Sequence, residues 1–214
     1  MRPYSPLQLS GSADRLQIGH ENLLVLGSLR LLDARGVSRY LCKLRTRVVV
    51  RRSPSTAGPQ VLVLLTELLT PDRIRIPLVA ENKDDLLREL VDIVGDPRVV
   101  RDRDEVLRAV REREAVLSTG IGNGVAIPHG KSGSVSELAL AAGVSNHPLD
   151  FEALDGHPVR LFFLLIGPES AAGQHVKALS RISRLLRRDT FRTRLIAASS
   201  AEEFYEIIQE AEAA

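Results

Sequence analysis

The stretch HPVRLFFLLIG, residues 157–167, contains the longest apolar run of this 214-residue chain and sets the expectation for its fold. The apolar part, LFFLLIG at residues 161–167, has the length of a strand that is buried on both faces. It is far shorter than the ~18 to 20 residues that a membrane-spanning helix needs. The stretch therefore predicts a central strand of a sheet, in a chain without a membrane span.

Strand-like and helix-like patterns alternate on both sides of this stretch. ELALAAGVS at 137–145 is apolar enough for a second internal strand, and QHVKALSRISRLLRR at 174–188 has apolar residues at helical spacing. That helix is expected to bury Val176, Leu179, Ile182, Leu185 and Leu186. Further strands are predicted at RIRIPL (73–78) and GVAIPH (124–129), and further helices at 82–95, Asp104–Val116, 189–198 and from the capping box Ser200–Glu203 onward. The alternation predicts an α/β fold, a mixed β-sheet sandwiched by helices.

The domain boundary is expected near residue 60. RRSPSTAGPQ at 51–60 has the composition of a linker, and the regular pattern begins at Val61. Residues 61–214 are therefore interpreted as one main domain, and residues 1–60 as a poorly ordered N-terminal extension. Within the extension, NLLVLGSLRLL and LRTRVVV could pair as a small hairpin, although two strands alone are only marginally stable.

Charge separates the two parts of the chain. Residues 1–65 hold 10 Lys or Arg against 3 Asp or Glu, while residues 66–214 hold 19 against 24. The acidic main domain argues against nucleic acid as its partner. The basic extension could bind nucleic acid or anionic lipid, although an incidental extension is the favoured interpretation.

The single cysteine, Cys42, excludes an internal disulfide framework and a multi-cysteine zinc site. No ligand-type spacing of carboxylates and histidines is present, so no metal and no cofactor are expected. The N-terminus does not have the plan of a signal peptide. These features indicate a cytoplasmic protein.

A glycine-rich stretch before a histidine indicates where the chemistry lies. STGIGNGVAIPHGK, residues 118–131, lacks the Lys-Ser/Thr of a P-loop and does not open a helix as a dinucleotide fingerprint does. Its backbone N–H groups can still form a concave anion site, so Gly120, Gly122 and Gly124 are predicted to bind phosphate. His129 follows the strand-like VAI, between a stiff proline and a flexible glycine, and is expected at the mouth of a site.

Arg113 and His175 complete the predicted site. Arg113 ends the helix before the glycine loop and offers a planar fork of donors to an anion. His175 lies near the start of another helix, where the helix dipole disfavours a charged imidazole. Glycine amides, one arginine and two neutral histidines suit a phosphoryl group in transit, because a neutral imidazole is a competent nucleophile towards phosphorus.

REREAVLSTGIGNGVAIPHGK resembles the active-site segment of enzyme IIA domains of the fructose–mannitol class, type 2, of the bacterial phosphoenolpyruvate-dependent sugar phosphotransferase system. The likeness is closest to the nitrogen-regulatory subfamily and covers about residues 65–210. The resemblance implies that His129 is phosphorylated and that His175 and Arg113 match the second histidine and the arginine of the family's active site. It also implies a relay, in which the phosphorylated histidine carrier protein gives its phosphoryl group to His129 and an enzyme IIB cysteine receives it.

Three functions remain open from the sequence. One is a transferase intermediate that feeds sugar uptake, of the fructose type. Another is a regulatory module whose phosphorylation state controls partner proteins. The weakest is the signal-input domain of a transcriptional regulator, since residues 1–60 contain no clear helix-turn-helix. In each case the family core has no counterpart of residues 1–60, and partners must be separate chains because Cys42 has no small-residue loop around it.

Overall fold

The computed structural model describes residues 15–18, 21–24 and 63–213. The chain divides into two compact units, Met1–Thr56 and Ala57–Ala214. In the first unit, strand β1 (Arg15–Ile18) pairs antiparallel with strand β2 (Glu21–Leu24). β2 contains the start of the predicted strand NLLVLGSLRLL. LRTRVVV lies outside the described residues, and the poor order expected of residues 1–60 stays a prediction.

The second unit is built on a six-stranded mixed sheet. Its strands are β3 (Ile74–Leu78), β4 (Gly120–Gly122), β5 (Val125–Ala126), β6 (His129–Lys131), β7 (Ala139–Leu149) and β8 (Val159–Gly167). The order is β3-β7-β8-β5-β4, and β6 also pairs with β8. β8 runs antiparallel to β7 and parallel to β5 and β6, while β3 runs parallel to β7. The predicted mixed sheet is confirmed.

The central strand β8 is buried on both faces, as its apolar run predicts. Alternate side chains enter two different cores. Phe162, Leu164 and Ile166 pack in one. Those on the opposite face, Leu161, Phe163 and Leu165, pack in the other. A sheet with two apolar faces needs a layer on each side.

Helices supply both layers. Helices α1 (Lys83–Ile93) and α2 (Arg103–Val116) cover one face, with Leu86, Leu90, Val106 and Val110 in the first core. Helices α3 (Ala172–Leu186), α4 (Asp189–Ala197) and α5 (Ala201–Ala213) cover the other, with Ile182, Leu185, Leu195, Phe204 and Ile208 in the second core. The sheet sandwiched by helices is therefore confirmed. No helix within the described ranges has the length and apolarity to cross a membrane.

Side-chain caps fix where α1 and α2 begin. The side chain of Asn82 accepts a hydrogen bond from the backbone N–H of Asp85, and that of Asp102 accepts one from Glu105. Each cap satisfies a donor that the first helical turn leaves without a partner. The start of α2 determines, by helical rotation, which of its later side chains face the sheet.

Two local expectations differ from the structure. The predicted strand GVAIPH is two short strands, β5 and β6, that pair with successive parts of β8. In α3 the side chain of Val176 is 66% exposed, although it was expected to be buried, and His175 is 4% exposed. The inward row of α3 is His175, Ala178, Ile182 and Leu185, and Val176 lies about 100° away from His175 around the helix.

Candidate functional site

His129 is the first residue of β6 and pairs with Leu165 near the end of the central strand. Its side chain is half-buried. The ring nitrogen Nδ1 lies 2.8 Å from the backbone carbonyl oxygen of Ile127. A carbonyl oxygen only accepts hydrogen bonds, so this contact assigns the ring proton to Nδ1. The lone pair of the neutral ring is therefore on Nε2.

Arg113, in the last turn of α2, points at that lone pair. Its Nε donates to Nε2 of His129 at 3.2 Å, and its Nη1 donates to the carbonyl oxygen of Leu117 at 2.8 Å. In the described part of the chain, no carboxylate forms an ion pair with Arg113 within 4.0 Å. The guanidinium is thus a positive charge held beside Nε2 of His129.

His175 lies behind His129, in the first turn of α3. The two ring centroids are 5.8 Å apart and the ring planes are tilted by 57°. Neither nitrogen of His175 has a hydrogen-bond partner among the described residues. Both nitrogens of this buried ring therefore remain available for a hydrogen bond.

Both histidines are held neutral, and burial is the main reason. Burial lowers the pKa of His129, and the positive charge of Arg113 lowers it further, against the opposing hydrogen bond to Ile127. Burial is the largest cause that lowers the pKa of His175 to about 4, and the positive charges of Lys131 and of His129 in its protonated form lower it further. The direction agrees with the sequence-based expectation for His175, but burial rather than the helix dipole is the largest cause.

Gly122 and Gly124 lie away from His129 along the central strand. Gly122 and Gly124 have φ values of +87° and +72° and form the turn between β4 and β5. The carbonyl oxygen of Gly124 accepts from the N–H of Leu161, whereas His129 pairs with Leu165, about 13 Å further along β8.

Gly120 meets a different constraint. It pairs with Ala126, and a Cβ atom there would lie 2.7 Å from the Cα of Ala153. Phosphate binding by Gly120, Gly122 and Gly124 therefore stays a prediction, and the conformation and packing of these residues have a structural explanation. These glycines permit a left-handed turn and a close backbone approach.

Three residues beside the site were not identified from the sequence. Glu114 is buried directly after Arg113, pairs with Lys83 and accepts hydrogen bonds from Thr119. Thr119 lies in the segment that joins α2 to β4, and this segment rather than the glycine turn runs beside Ile127. For Glu114 the sequence shows only a charged residue within an amphipathic helix. The spacing of the apolar residues does not indicate whether this glutamate is buried or exposed.

Chemically, the arrangement suits attack on an anionic electrophile. It offers a half-buried neutral imidazole whose Nε2 lone pair accepts a hydrogen bond from a guanidinium, and a second neutral imidazole close to the first. A guanidinium matches the geometry of phosphoryl oxygens and stays charged at any physiological pH. Among the described residues, no group of three or more His, Cys, Asp or Glu side chains is arranged to hold a metal.

Residues 67–211 match the family model described as "Phosphoenolpyruvate-dependent sugar phosphotransferase system, EIIA 2". A nitrogen regulatory protein of Bradyrhizobium diazoefficiens is 36% identical over 144 residues, which are 67% of this chain and 94% of that protein. The fructose-specific EIIABC component of the phosphotransferase system of Bacillus subtilis is 38% identical over 146 residues. Those residues are 68% of this chain but only 23% of that relative's length.

Solved structures show the same fold. The nitrogen regulatory protein IIA-Ntr of Neisseria meningitidis has a TM-score of 0.64 at 33% identity, over 67% of this chain and 98% of the other. The Escherichia coli complex of enzyme IIAMTL with phosphorylated enzyme IIBMTL has a TM-score of 0.58 at 18% identity, over 66% of this chain and 97% of the matched chain. At that identity the second match concerns the fold alone.

Proposed function

The chain belongs to the EIIA type 2 family of the phosphoenolpyruvate-dependent sugar phosphotransferase system, and from that premise we propose that His129 carries the phosphoryl group on Nε2. The observation that carries this proposal is the pair of contacts on one ring. Nδ1 donates to the carbonyl of Ile127, and Nε2 faces the guanidinium of Arg113. The chain is an EIIA-type phosphocarrier domain, and the covalent intermediate is the specific step proposed here.

In the proposed transfer to His129, one N–P bond forms and one N–P bond breaks. Arg113 gives up its hydrogen bond to Nε2 and turns its guanidinium to the phosphoryl oxygens, and the released lone pair of Nε2 forms a bond to the phosphorus of a phosphohistidine donor. The donor's N–P bond breaks, and its electron pair stays on the donor imidazole. The proton on Nδ1 of His129 remains hydrogen-bonded to Ile127 throughout. Transfer onward repeats the exchange, with a thiolate as the attacking group.

Arg113 and His175 have different parts in this step. Arg113 neutralises the equatorial oxygens of the phosphoryl group, and its contact with Leu117 aims the guanidinium at His129. His175 acts through its position behind the nucleophile, where a neutral imidazole can donate one hydrogen bond to a phosphoryl oxygen. It is not the acceptor, because its ring is almost fully buried.

The partners follow from the family. The donor is a phosphorylated histidine carrier protein, and the recipient is an enzyme IIB cysteine or a regulatory target. Two observations support this choice: a relative in this fold is solved in complex with phosphorylated enzyme IIB, and other relatives are named nitrogen regulatory proteins. No nucleic-acid partner is proposed for the acidic main domain.

Regulation is the favoured role and sugar uptake the second candidate. Nitrogen regulatory relatives match over 94% and 96% of their own lengths, so a whole regulatory protein corresponds to this domain. The fructose-specific relative matches over 23%, as one part of a larger chain. The proposed organisation is a phosphocarrier domain at 61–214 with an extension at 1–60, working in the cytoplasm, where phosphoenolpyruvate is made.

The test is stoichiometric phosphorylation. Incubating the chain with phosphoenolpyruvate, enzyme I and the histidine carrier is expected to give an acid-labile, base-stable label of one phosphoryl group per chain. His129→Gln should abolish the label, because no other imidazole in the site is accessible to a protein donor. Full labelling of the His129→Gln variant would overturn the proposal.

A further inference from the structure

Glu114 is a buried carboxylate whose neighbour in sequence is the arginine of the site. Glu114 is only 6% exposed. The side chain of Arg113 points instead towards His129. One carboxylate oxygen, Oε2, accepts a hydrogen bond from the backbone N–H of Thr119 at 2.9 Å and another from the Thr119 hydroxyl. The other oxygen lies 2.9 Å from Nζ of Lys83. Glu114 therefore clamps the segment that follows α2.

The clamped residue is connected to the ring of His129 by two backbone contacts. The carbonyl oxygen of Thr119 accepts from the N–H of Ile127 at 3.0 Å. The carbonyl oxygen of Ile127 then accepts from Nδ1 of His129 at 2.8 Å. A chain of directional bonds thus runs from Glu114 through Thr119 and Ile127 to the nitrogen that sets the tautomer of His129.

Stability alone gives a poor reason for this carboxylate. Removing a charged group from water costs several kcal/mol, and a buried ion pair is often no more stabilising than apolar residues of the same volume. The ammonium of Lys83 pairs with the carboxylate of Glu114. The position of this ammonium is itself held, since Nζ lies 4.8 Å from the centre of the Phe151 ring and pairs with Glu152. An apolar residue would fill the space but could not accept two hydrogen bonds from Thr119.

We propose that Glu114, held by Lys83, is a positioning residue for His129: through Thr119 and Ile127 it fixes the ring with its proton on Nδ1 and its lone pair on Nε2. The effect on phosphoryl transfer rests on the proposed function, whereas the effect on the tautomer does not. If Thr119 shifts, Ile127 loses its backbone contact and the ring loses its fixed acceptor. Both tautomers then become populated, and one of them has no lone pair on Nε2.

The test compares two glutamates of the same helix. Glu105, in the first turn of α2, also accepts hydrogen bonds from two hydroxyl groups, those of Ser132 and Ser134. Glu105→Gln is therefore a matched control for loss of a loop-holding carboxylate. In Glu114→Gln the amide cannot accept from Thr119 without placing an N–H group against the Lys83 ammonium.

Nitrogen-15 NMR of the full chain, labelled in its histidine rings, reads the tautomer directly. Wild type and Glu105→Gln are expected to show His129 with the proton on Nδ1, and Glu114→Gln a mixture of tautomers. With the phosphorylated histidine carrier as donor, Glu114→Gln should lower the maximal rate of phosphoryl acceptance about 10- to 100-fold, by analogy with the loss of the residues that orient metal-bound histidines. The donor concentration for half-maximal rate should stay unchanged.

A single Nδ1–H tautomer and a control-like rate in Glu114→Gln would overturn the proposal. If that variant does not fold, the pair Thr119→Val and Thr119→Ser decides, because only serine keeps the hydroxyl that Glu114 accepts from. Serine should restore the wild-type tautomer and rate, and equal behaviour of the two would contradict the inference. Absence of any phosphorylation in wild type would instead refute the proposed function, and the tautomer comparison would still stand.

Discussion

The two histidines of the site lie 5.8 Å apart and are built in opposite ways. His129 is half-buried, with one ring nitrogen bonded to Ile127 and the other in contact with Arg113. His175 is 4% exposed, and neither of its nitrogens has a partner among the described residues. The ring of His129 is oriented by contacts at both nitrogens and is partly exposed. The ring of His175 is buried and is oriented by no hydrogen bond among the described residues.

This difference separates two roles that the residue type alone does not distinguish. A nucleophile must present a lone pair in a fixed direction to a donor that arrives from outside, and only His129 does so. A residue that supports the transferred group must lie close to it and offer a hydrogen bond, and the buried neutral ring of His175 has both nitrogens available for one. Each substitution below alters the surroundings of His129 or replaces His175.

The largest expected effect is on acid stability. His175 has a folded-state pKa of about 4, well below the ordinary value of about 6.5. Its neutral form is favoured by folding, so its contribution to stability is complete above about pH 6.5 and is lost as the pH falls towards 4. Between about pH 7 and about pH 4, wild type should lose about 3 kcal/mol more unfolding free energy than His175→Gln.

Urea unfolding of both chains across that pH range measures the difference directly. The carboxylates are present in both chains and cancel in the comparison, and His129 cancels apart from its charge coupling to His175. Parallel pH profiles would mean that His175 is not held as a buried neutral imidazole.

The next effect concerns the same substitution and the chemistry. His175→Gln should still accept one phosphoryl group on His129, but transfer to an enzyme IIB domain should slow by about 10²-fold, because the amide does not place its N–H where the imidazole donates to the phosphoryl oxygens in the transition state. Quenched-flow measurement of label on both proteins separates acceptance from onward transfer. Wild-type rates in both steps would reduce His175 to a structural residue.

The smallest expected effect is on the rate of phosphoryl acceptance, and it tests whether the planar guanidinium of Arg113 is needed beside His129. Arg113→Lys keeps the charge but loses the planar fork, so phosphoryl acceptance should slow by about 10-fold with the fold intact. Arg111→Lys is the control, since Arg111 lies about 200° around the helix and pairs with Asp84 on α1. Single-turnover acceptance should be normal in the control, and equal rates in the two variants would remove Arg113 from the site.

The elements that carry the site could be predicted from the sequence because their signals are local. The apolar run of β8 and the helical spacing of α2 and α3 are patterns of burial, and they place Arg113, His129 and His175 at the ends of elements that meet at one part of the sheet. The resemblance then assigned their roles. The structure adds which ring nitrogen is available.

The glycine turn could not be predicted in the same way. A cluster of glycines indicates unusual backbone angles or a close approach, but it does not indicate which. The difference depends on register along β8, since Gly124 meets Leu161 while His129 meets Leu165. Glu114 was missed for a related reason: only tertiary packing shows that its charge is buried and bonded to Thr119.

The most direct measurement of the central claim is the site of the phosphoryl group on the phosphorylated chain. Phosphorus-31 and nitrogen-15 NMR of a sample labelled in its histidine rings detects the coupling across the new P–N bond. The account predicts a single phosphohistidine, at Nε2 of His129, with Nδ1 still protonated against Ile127. A phosphoryl group on Nδ1 of His129, or on either nitrogen of His175, would contradict it.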